Sequence, residues 1–130
     1  MPLRVVIFDD DDSMRRILAF VCERRGYEVF AFPDPGVCPL HAMDRCACPA
    51  GTICADVIIS DINMPRVNGL DFVEALGSKQ CALPHLALIS GGWSDADRIR
   101  AARLRCQLFA KPIAIAEVEA WLDAVEPRVV

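Results

Sequence analysis

The sequence predicts an α/β domain: a parallel sheet covered by helices on both faces. Three observations carry that expectation. Short apolar runs recur along the chain, namely Val5-Val6-Ile7-Phe8, Val57-Ile58-Ile59, Leu86-Ala87-Leu88-Ile89 and Leu108-Phe109-Ala110, and each has the length of a buried strand. Segments with apolar residues at helical spacing lie between them, and strands alternating with helices specify parallel pairing through right-handed crossovers. Each run also stops abruptly in polar residues: Asp9-Asp10-Asp11-Asp12, then Asp61, then Ser90-Gly91-Gly92, then Lys111-Pro112. The carboxyl edge of an open α/β sheet is where ligands bind, so several polar groups and one lysine are expected to meet there.

Taken in order, residues 4–8 read as the first strand. Asp11 or Asp12 can cap a helix starting near Ser13. Ile17, Leu18, Val21 and Cys22 are expected on its inner face, with Arg15, Arg16, Glu23, Arg24 and Arg25 mostly outside. Gly26 ends it as a residue able to take the left-handed conformation. Tyr27 to Ala31 reads as strand two, Phe32-Pro33-Asp34-Pro35-Gly36 as a turn, and about 36–44 as a short helix. Residues 45–55 have no clean period and contain Pro49 and Gly51, which reads as a loop.

Strand three is expected over 56–60, followed by a turn at Pro65 and Asn68-Gly69 and a helix over 70–77 with Phe72, Val73 and Leu76 inward. Residues 85–89 give strand four, and Ser94 or Asp95 caps a helix running to about Leu104. Strand five covers 106–110. The last helix starts near Ala114, with Ile115, Val118, Trp121, Leu122 and Val125 at helical spacing. The expectation is five strands and five helices, with no internal repeat or interdomain linker.

With 130 residues, 54% hydrophobic and 25% charged, the chain suits a single domain with a substantial core. A net charge of -4 argues against a nucleic-acid-binding face, which needs a basic stripe. No apolar run approaches the roughly 20 residues of a membrane span. Met1-Pro2-Leu3-Arg4 leads straight into a strand, so a cytoplasmic protein without a signal peptide is expected. The seven cysteines are then expected as thiols or metal ligands rather than a disulfide framework.

The acidic cluster after strand one, the lone Asp in Ser60-Asp61-Ile62-Asn63-Met64-Pro65, the Ser after strand four and the Lys-Pro after strand five occur in one order along nearly the whole chain. In that order they resemble the receiver domain of two-component response regulators, as in stand-alone chemotaxis regulators. The resemblance implies a flavodoxin-like sheet of order 2-1-3-4-5 spanning 1–130. It implies a phosphoryl acceptor at Asp61, served by a histidine kinase or phosphotransfer protein and signalling to an unknown downstream protein. It implies magnesium (or manganese) held by Asp9, Asp10, Asp61 and the backbone carbonyl of Asn63. Ser90 then binds a phosphoryl oxygen, and Lys111 pairs with the phosphate ahead of Pro112, usually through a cis peptide. Such a chain is no enzyme beyond self-phosphorylation from phosphodonors and autodephosphorylation.

The residues support that chemistry by themselves. Clustered carboxylates repel one another and suit a hard divalent cation. Phosphoryl transfer needs mostly positioning and charge neutralisation, and an ionised aspartate can be the nucleophile. The bland reading of Asp61 is a turn cap, and of Lys111 a solvated charge. Asp11 and Asp12 read as capping and solvated charge, and Met14, Met64 and Trp121 as packing residues.

Two departures from the family stand out. Leu108 lies where receivers usually carry a Tyr or Phe that reorients on activation, and Phe109, by strand alternation, should face the other way. The stretch before strand three is longer than in the family and rich in cysteine. Cys38, Cys46, Cys48 and Cys54, with His41, could form a tetrahedral zinc or iron–sulfur site. Their spacing contains no Cys-x2-Cys, so packing thiols or an adventitious disulfide is the expectation, with zinc the alternative. Cys22, Cys81 and Cys106 read as core or surface residues.

Two other functions compete. A degenerate receiver could act as a metal or redox module through the cysteine stretch. Asp9-x-Asp11-x-Ser13 also resembles the first motif of haloacid-dehalogenase-type phosphatases. That family needs a further acidic pair at a strand end after the lysine, whereas Glu117, Glu119, Asp123 and Glu126 fall on or beyond the last helix.

Overall fold

The structure is a computed structural model and describes residues 3–33, 56–63, 68–78 and 85–129. In chain order the elements are β1 (Arg4–Phe8), α1 (Asp12–Arg24), β2 (Glu28–Phe32), β3 (Val57–Asp61), α2 (Gly69–Ser78), β4 (His85–Ser90), α3 (Asp95–Arg103), β5 (Gln107–Ala110) and α4 (Ile115–Val129). All strand pairs are parallel, and the sheet order is β2-β1-β3-β4-β5. This is the flavodoxin-like order. The described residues contain four helices; the helix expected near 36–44 with Cys38 and His41, the loop over 45–55 with Cys46, Cys48 and Cys54, and Met64 and Cys81 lie outside them.

Strand alternation sorts the apolar residues into two layers. Val5, Ile7, Ile59, Ala87, Ile89 and Phe109 face α1 and α4, meeting Leu18, Cys22, Val118, Leu122 and Val125. Val6, Phe8, Ile58, Leu86 and Leu88 face the other way, meeting Leu70 and Val73 of α2 and Ala101 of α3. Leu108 packs on this second layer while Phe109 belongs to the first, as alternation requires. The central strands are therefore buried on both faces, whereas the edge strands β2 and β5 are largely exposed. Full burial of one Leu or Ile contributes about 1.5–3 kcal/mol, so this two-sided core dominates stability and holds the strand ends in place.

Several boundaries and faces differ from expectation. Ile17 is 44% exposed, so the inner stripe of α1 is Leu18, Val21 and Cys22. Ile17 lies about 100° round the helix from Leu18, and a helix packed on a sheet buries only part of its circumference. Strand β2 starts at Glu28 because the Tyr27 N–H is taken by the carbonyl of Cys22. Strand β5 starts at Gln107 because the Cys106 N–H closes α3 on the carbonyl of Ala101. Val73 is buried as expected, and the side chains of Phe72 and Leu76 lie outside the described residues. On α4, Val118, Leu122 and Val125 are buried, with Trp121 packed beside them edge-on to Phe109.

Candidate functional site

The sheet order reverses direction between β1 and β3, and the carboxyl ends of the strands at such a switch point are where open α/β sheets bind ligands. Asp9 follows β1 directly and Asp61 is the last residue of β3. Asp61 is paired with Ile89, and Ser90 with Ala110, so Ser90 and Lys111 each lie one residue beyond on the neighbouring strand. Register alone thus brings Asp9, Asp61, Ser90 and Lys111 to one edge.

Asp61 is 2% exposed, and both of its oxygens are engaged. Oδ2 accepts from Lys111 Nζ at 2.7 Å, and Oδ1 accepts from the Asn63 backbone N–H at 3.0 Å. Asn63 thereby has its place two residues beyond Asp61, tied back to it. The Lys111–Pro112 peptide is cis. Burial pulls the Lys111 ammonium down, but its hydrogen bond to Asp61 and the fields of Asp61, Asp9 and Asp10 outweigh that, and the net shift is upward.

Carboxylate oxygens of Asp9, Asp10 and Asp61 lie within 4.8 Å of one another. Asp10 is exposed, while Asp9 is fully buried. Asp9 Oδ1 accepts from the Asp11 N–H at 2.9 Å, but its Oδ2 is the one buried side-chain polar atom without a hydrogen-bond partner among the described residues. A buried oxygen left in that state costs about 1–3 kcal/mol or more if charged. Burial accordingly raises the Asp9 carboxyl above its usual range; the Asp11 N–H opposes this and the nearby Asp61 charge adds to it. Three carboxylates, one with an unmet oxygen, fit a hard divalent cation, and the donor set is all oxygen. Among the described residues no other such group of potential metal ligands occurs.

Asp11 and Asp12 play the parts expected of them. Asp11 caps α1 by accepting from the Met14 N–H, and Asp12 is paired with Arg15. Ser90 is fully buried, and its Oγ donates to the Gly92 carbonyl and accepts from the Gly92 N–H, each at 3.1 Å.

Three residues matter here that their neighbours in sequence did not reveal. Arg15, expected on the outside of α1, turns back to donate to the Asp9 carbonyl at 2.8 Å and so holds the loop that carries the acidic cluster. Gly69 lies so close behind Asp61 that a Cβ would meet the Asp61 carbonyl oxygen at 2.6 Å. The Asn68-Gly69 pair signalled a turn, not a close approach; Asn68 caps α2 by accepting from the Leu70 N–H at 2.8 Å. Trp93 donates its indole N–H to the Phe109 carbonyl at 3.1 Å, a contact with no local sequence signature.

Cys22 and Cys106 are free thiols, buried and half-buried, and burial pushes each up to about 11. They are packing residues, protonated at neutral pH. No helix among the described residues is long and apolar enough to cross a membrane.

The chain is 30% identical over 126 residues to a probable transcriptional regulatory protein of Picosynechococcus, covering 96% of this chain and 49% of that one. It is 36% identical over 76 residues to chemotaxis protein CheY1 of Helicobacter pylori, covering 58% of this chain and 56% of that one. The chain spans about half the length of these curated relatives. Among solved structures, chemotaxis protein CheY4 of Vibrio cholerae superposes with a TM-score of 0.75 at 23% identity, covering 96% of this chain and 99% of that one; this likeness bears on the fold. Residues 5–123 match the response regulator receiver domain, and the chain belongs to that family.

Proposed function

We propose that this receiver accepts a phosphoryl group on Asp61 from the phosphohistidine of a histidine kinase or phosphotransfer protein, and signals by docking to a downstream protein. The observation that carries this reading is the pairing of the buried Asp61 carboxylate with Lys111 at 2.7 Å, beside an acidic pair with one oxygen unmet among the described residues.

In the transfer, an Asp61 oxygen attacks phosphorus, the phosphorus–nitrogen bond of the donor breaks, and its electron pair leaves with the imidazole. The product is a mixed carboxylic–phosphoric anhydride. Lys111 already sits on Asp61 and offers its ammonium to the arriving phosphoryl oxygens. Ser90 supplies one hydroxyl donor at the same edge. Asn63 holds Asp61 through its N–H. Asp9, Asp10, Asp61 and the Asn63 carbonyl would hold magnesium or manganese. Such an ion, when bound, offsets the repulsion between the acids and the incoming phosphoryl group.

The chemistry is confined to the protein's own side chain: it gains a phosphoryl group from phosphodonors and loses it to water. The reaction belongs in the cytoplasm with its kinase, and the acidic net charge favours a protein partner over direct nucleic-acid binding. Phosphorylation by acetyl phosphate, read by intact mass and peptide mapping, tests the proposal. The expected label sits on Asp61 and disappears in Asp61→Asn, which should stay folded because one fewer acid relieves repulsion. A mutant labelled to the wild-type extent would end this reading.

A further inference from the structure

Asp9, Asp10, Asp11 and Asp12 follow β1 in a row, and the backbone of the first is held from two sides. The Asp9 N–H donates to the Phe32 carbonyl at the end of β2 at 3.2 Å. The Asp9 carbonyl accepts from Arg15 Nη1 at 2.8 Å. The other arm of the same guanidinium, Nη2, bonds the Asp12 carboxylate. One side chain, sent back from the first turn of α1, thus spans the acidic loop from its first residue to the start of the helix. Arg16 beside it is exposed, whereas the Arg15 side chain is only 20% exposed. With its backbone fixed, Asp9 also has one carboxylate oxygen fixed: Oδ1 takes the Asp11 N–H, and Oδ2 is left unmet among the described residues. Both arms of Arg15 are spent on the Asp9 carbonyl and on Asp12, and not on the Asp9, Asp10 and Asp61 carboxylate oxygens that gather within 4.8 Å.

We propose that Arg15 is a positioning residue for the divalent ion, setting Asp9 and Asp10 from behind; this rests on the reading of the acidic cluster as a cation site. The Asp9 carbonyl belongs to the planar peptide that leads to Asp10, so fixing it sets where both acid side chains leave the chain. Ligands set in advance lose less freedom when the ion binds. A planar guanidinium can serve two acceptors at once through separate nitrogens, which a single ammonium nitrogen does not match. The charge of Arg15 works in the opposite direction, because a cation near the cluster repels an incoming cation. Removing a residue that acted only through its charge would therefore tighten ion binding. Removing one that positions the ligands weakens it. The sign of the change separates the two roles.

The test titrates magnesium into the full ¹⁵N-labelled chain without any phosphodonor. NMR follows the backbone amides of Asp11 and Asn63, which donate to the Asp9 and Asp61 carboxylates. Arg15→Met is expected to bind magnesium about tenfold more weakly than wild type, the scale on which partners behind metal ligands act. Arg15→Lys keeps the charge but not the fork, and should bind more weakly than wild type and more tightly than Arg15→Met. Metal-free thermal melts run beside the titrations. An Arg15→Met protein that binds magnesium as tightly as wild type, or more tightly, overturns the inference, whatever stability it has lost. Arg15→Lys with wild-type affinity overturns it as well, and this arm stands even where Arg15→Met does not fold. A wild-type chain whose Asp11 and Asn63 amides ignore magnesium overturns the cation reading itself and this inference with it.

Discussion

The two ends of the sheet treat charge in opposite ways. At the amino end, Arg25 closes α1 and reaches across to α4, bonding Glu126 Oε1 at 2.7 Å and Asp123, while its Nε also meets the Tyr27 hydroxyl at 3.0 Å. Tyr27 in turn donates to Glu126. Every member has partners, and the cluster ties α1, the start of β2 and α4 together. At the carboxyl end, three carboxylates gather around one lysine, and a buried oxygen of Asp9 has no hydrogen-bond partner among the described residues. Among the described residues that end is short of positive charge, which a fold shaped for stability alone would avoid. The deficit is informative because the same chain satisfies a comparable cluster completely at the other end.

The contrast can be broken from either side. The largest expected effect on stability is at the site's rear wall. Gly69→Ala places a methyl against the Asp61 backbone carbonyl, and overpacking against backbone costs about 1–3 kcal/mol. Denaturant unfolding should show the loss, and labelling of Asp61 should fall with it. A variant as stable as wild type would mean the backbone yields easily there.

At the amino end, Arg25→Ala strips Glu126 and Asp123 of their shared partner. The Arg25 side chain is only 18% exposed, so the loss should be about 1–2 kcal/mol after allowance for solvent. Labelling should be unaffected, since the cluster lies at the far end of the strands. A variant that loses its acyl phosphate while remaining folded would break the separation of the two ends.

The smaller effects concern pH, and their signs are opposite. The Glu126 carboxyl is held below its usual range by the Tyr27 hydroxyl and then by Arg25. Its contribution is present above the unfolded value of 4.5 and is lost as pH falls through the lower folded value. The Asp9 carboxyl is raised, chiefly by burial, so the folded state holds its proton longer than the unfolded chain does. Stability therefore declines as pH rises from the unfolded value of 3.8 through the higher folded one. In metal-free buffer, Asp9→Asn should remove that decline and be the more stable protein at neutral pH, while Glu126→Gln should weaken the loss on acidification. Thermal melts across pH 3–8 compare the two, and a steeper decline in Asp9→Asn would refute the sign assigned to Asp9.

Much of the site was legible in the sequence because each polar group follows a strand directly. Once the runs ending at Phe8, Asp61, Ile89 and Ala110 are parallel neighbours, the register carries Asp9, Ser90 and Lys111 to the same edge as Asp61. The two faces of the sheet were legible for a similar reason, since alternation alone separates Leu108 from Phe109. Ile17 shows where such reasoning stops. Its apolar character fits an inner face, but how much of α1 is covered depends on how the helix lies on the sheet. Gly69 and Trp93 were hidden because their partners, the Asp61 and Phe109 carbonyls, are set by tertiary approach rather than by spacing. Arg15 was hidden because a long side chain can leave an outward position and turn back on a loop.

We predict that the carboxyl end takes up one divalent cation at Asp9, Asp10 and Asp61. Melting temperatures of wild type and of the double variant Asp9→Asn, Asp10→Asn, each with and without magnesium, test it most directly. At ten times the dissociation constant, binding to the folded state alone contributes about 1.4 kcal/mol, a rise of a few degrees for a domain of this size. The rise is expected in wild type and absent in the double variant, whose metal-free melting temperature should exceed that of wild type. An equal magnesium response in both proteins would place the ion away from Asp9 and Asp10.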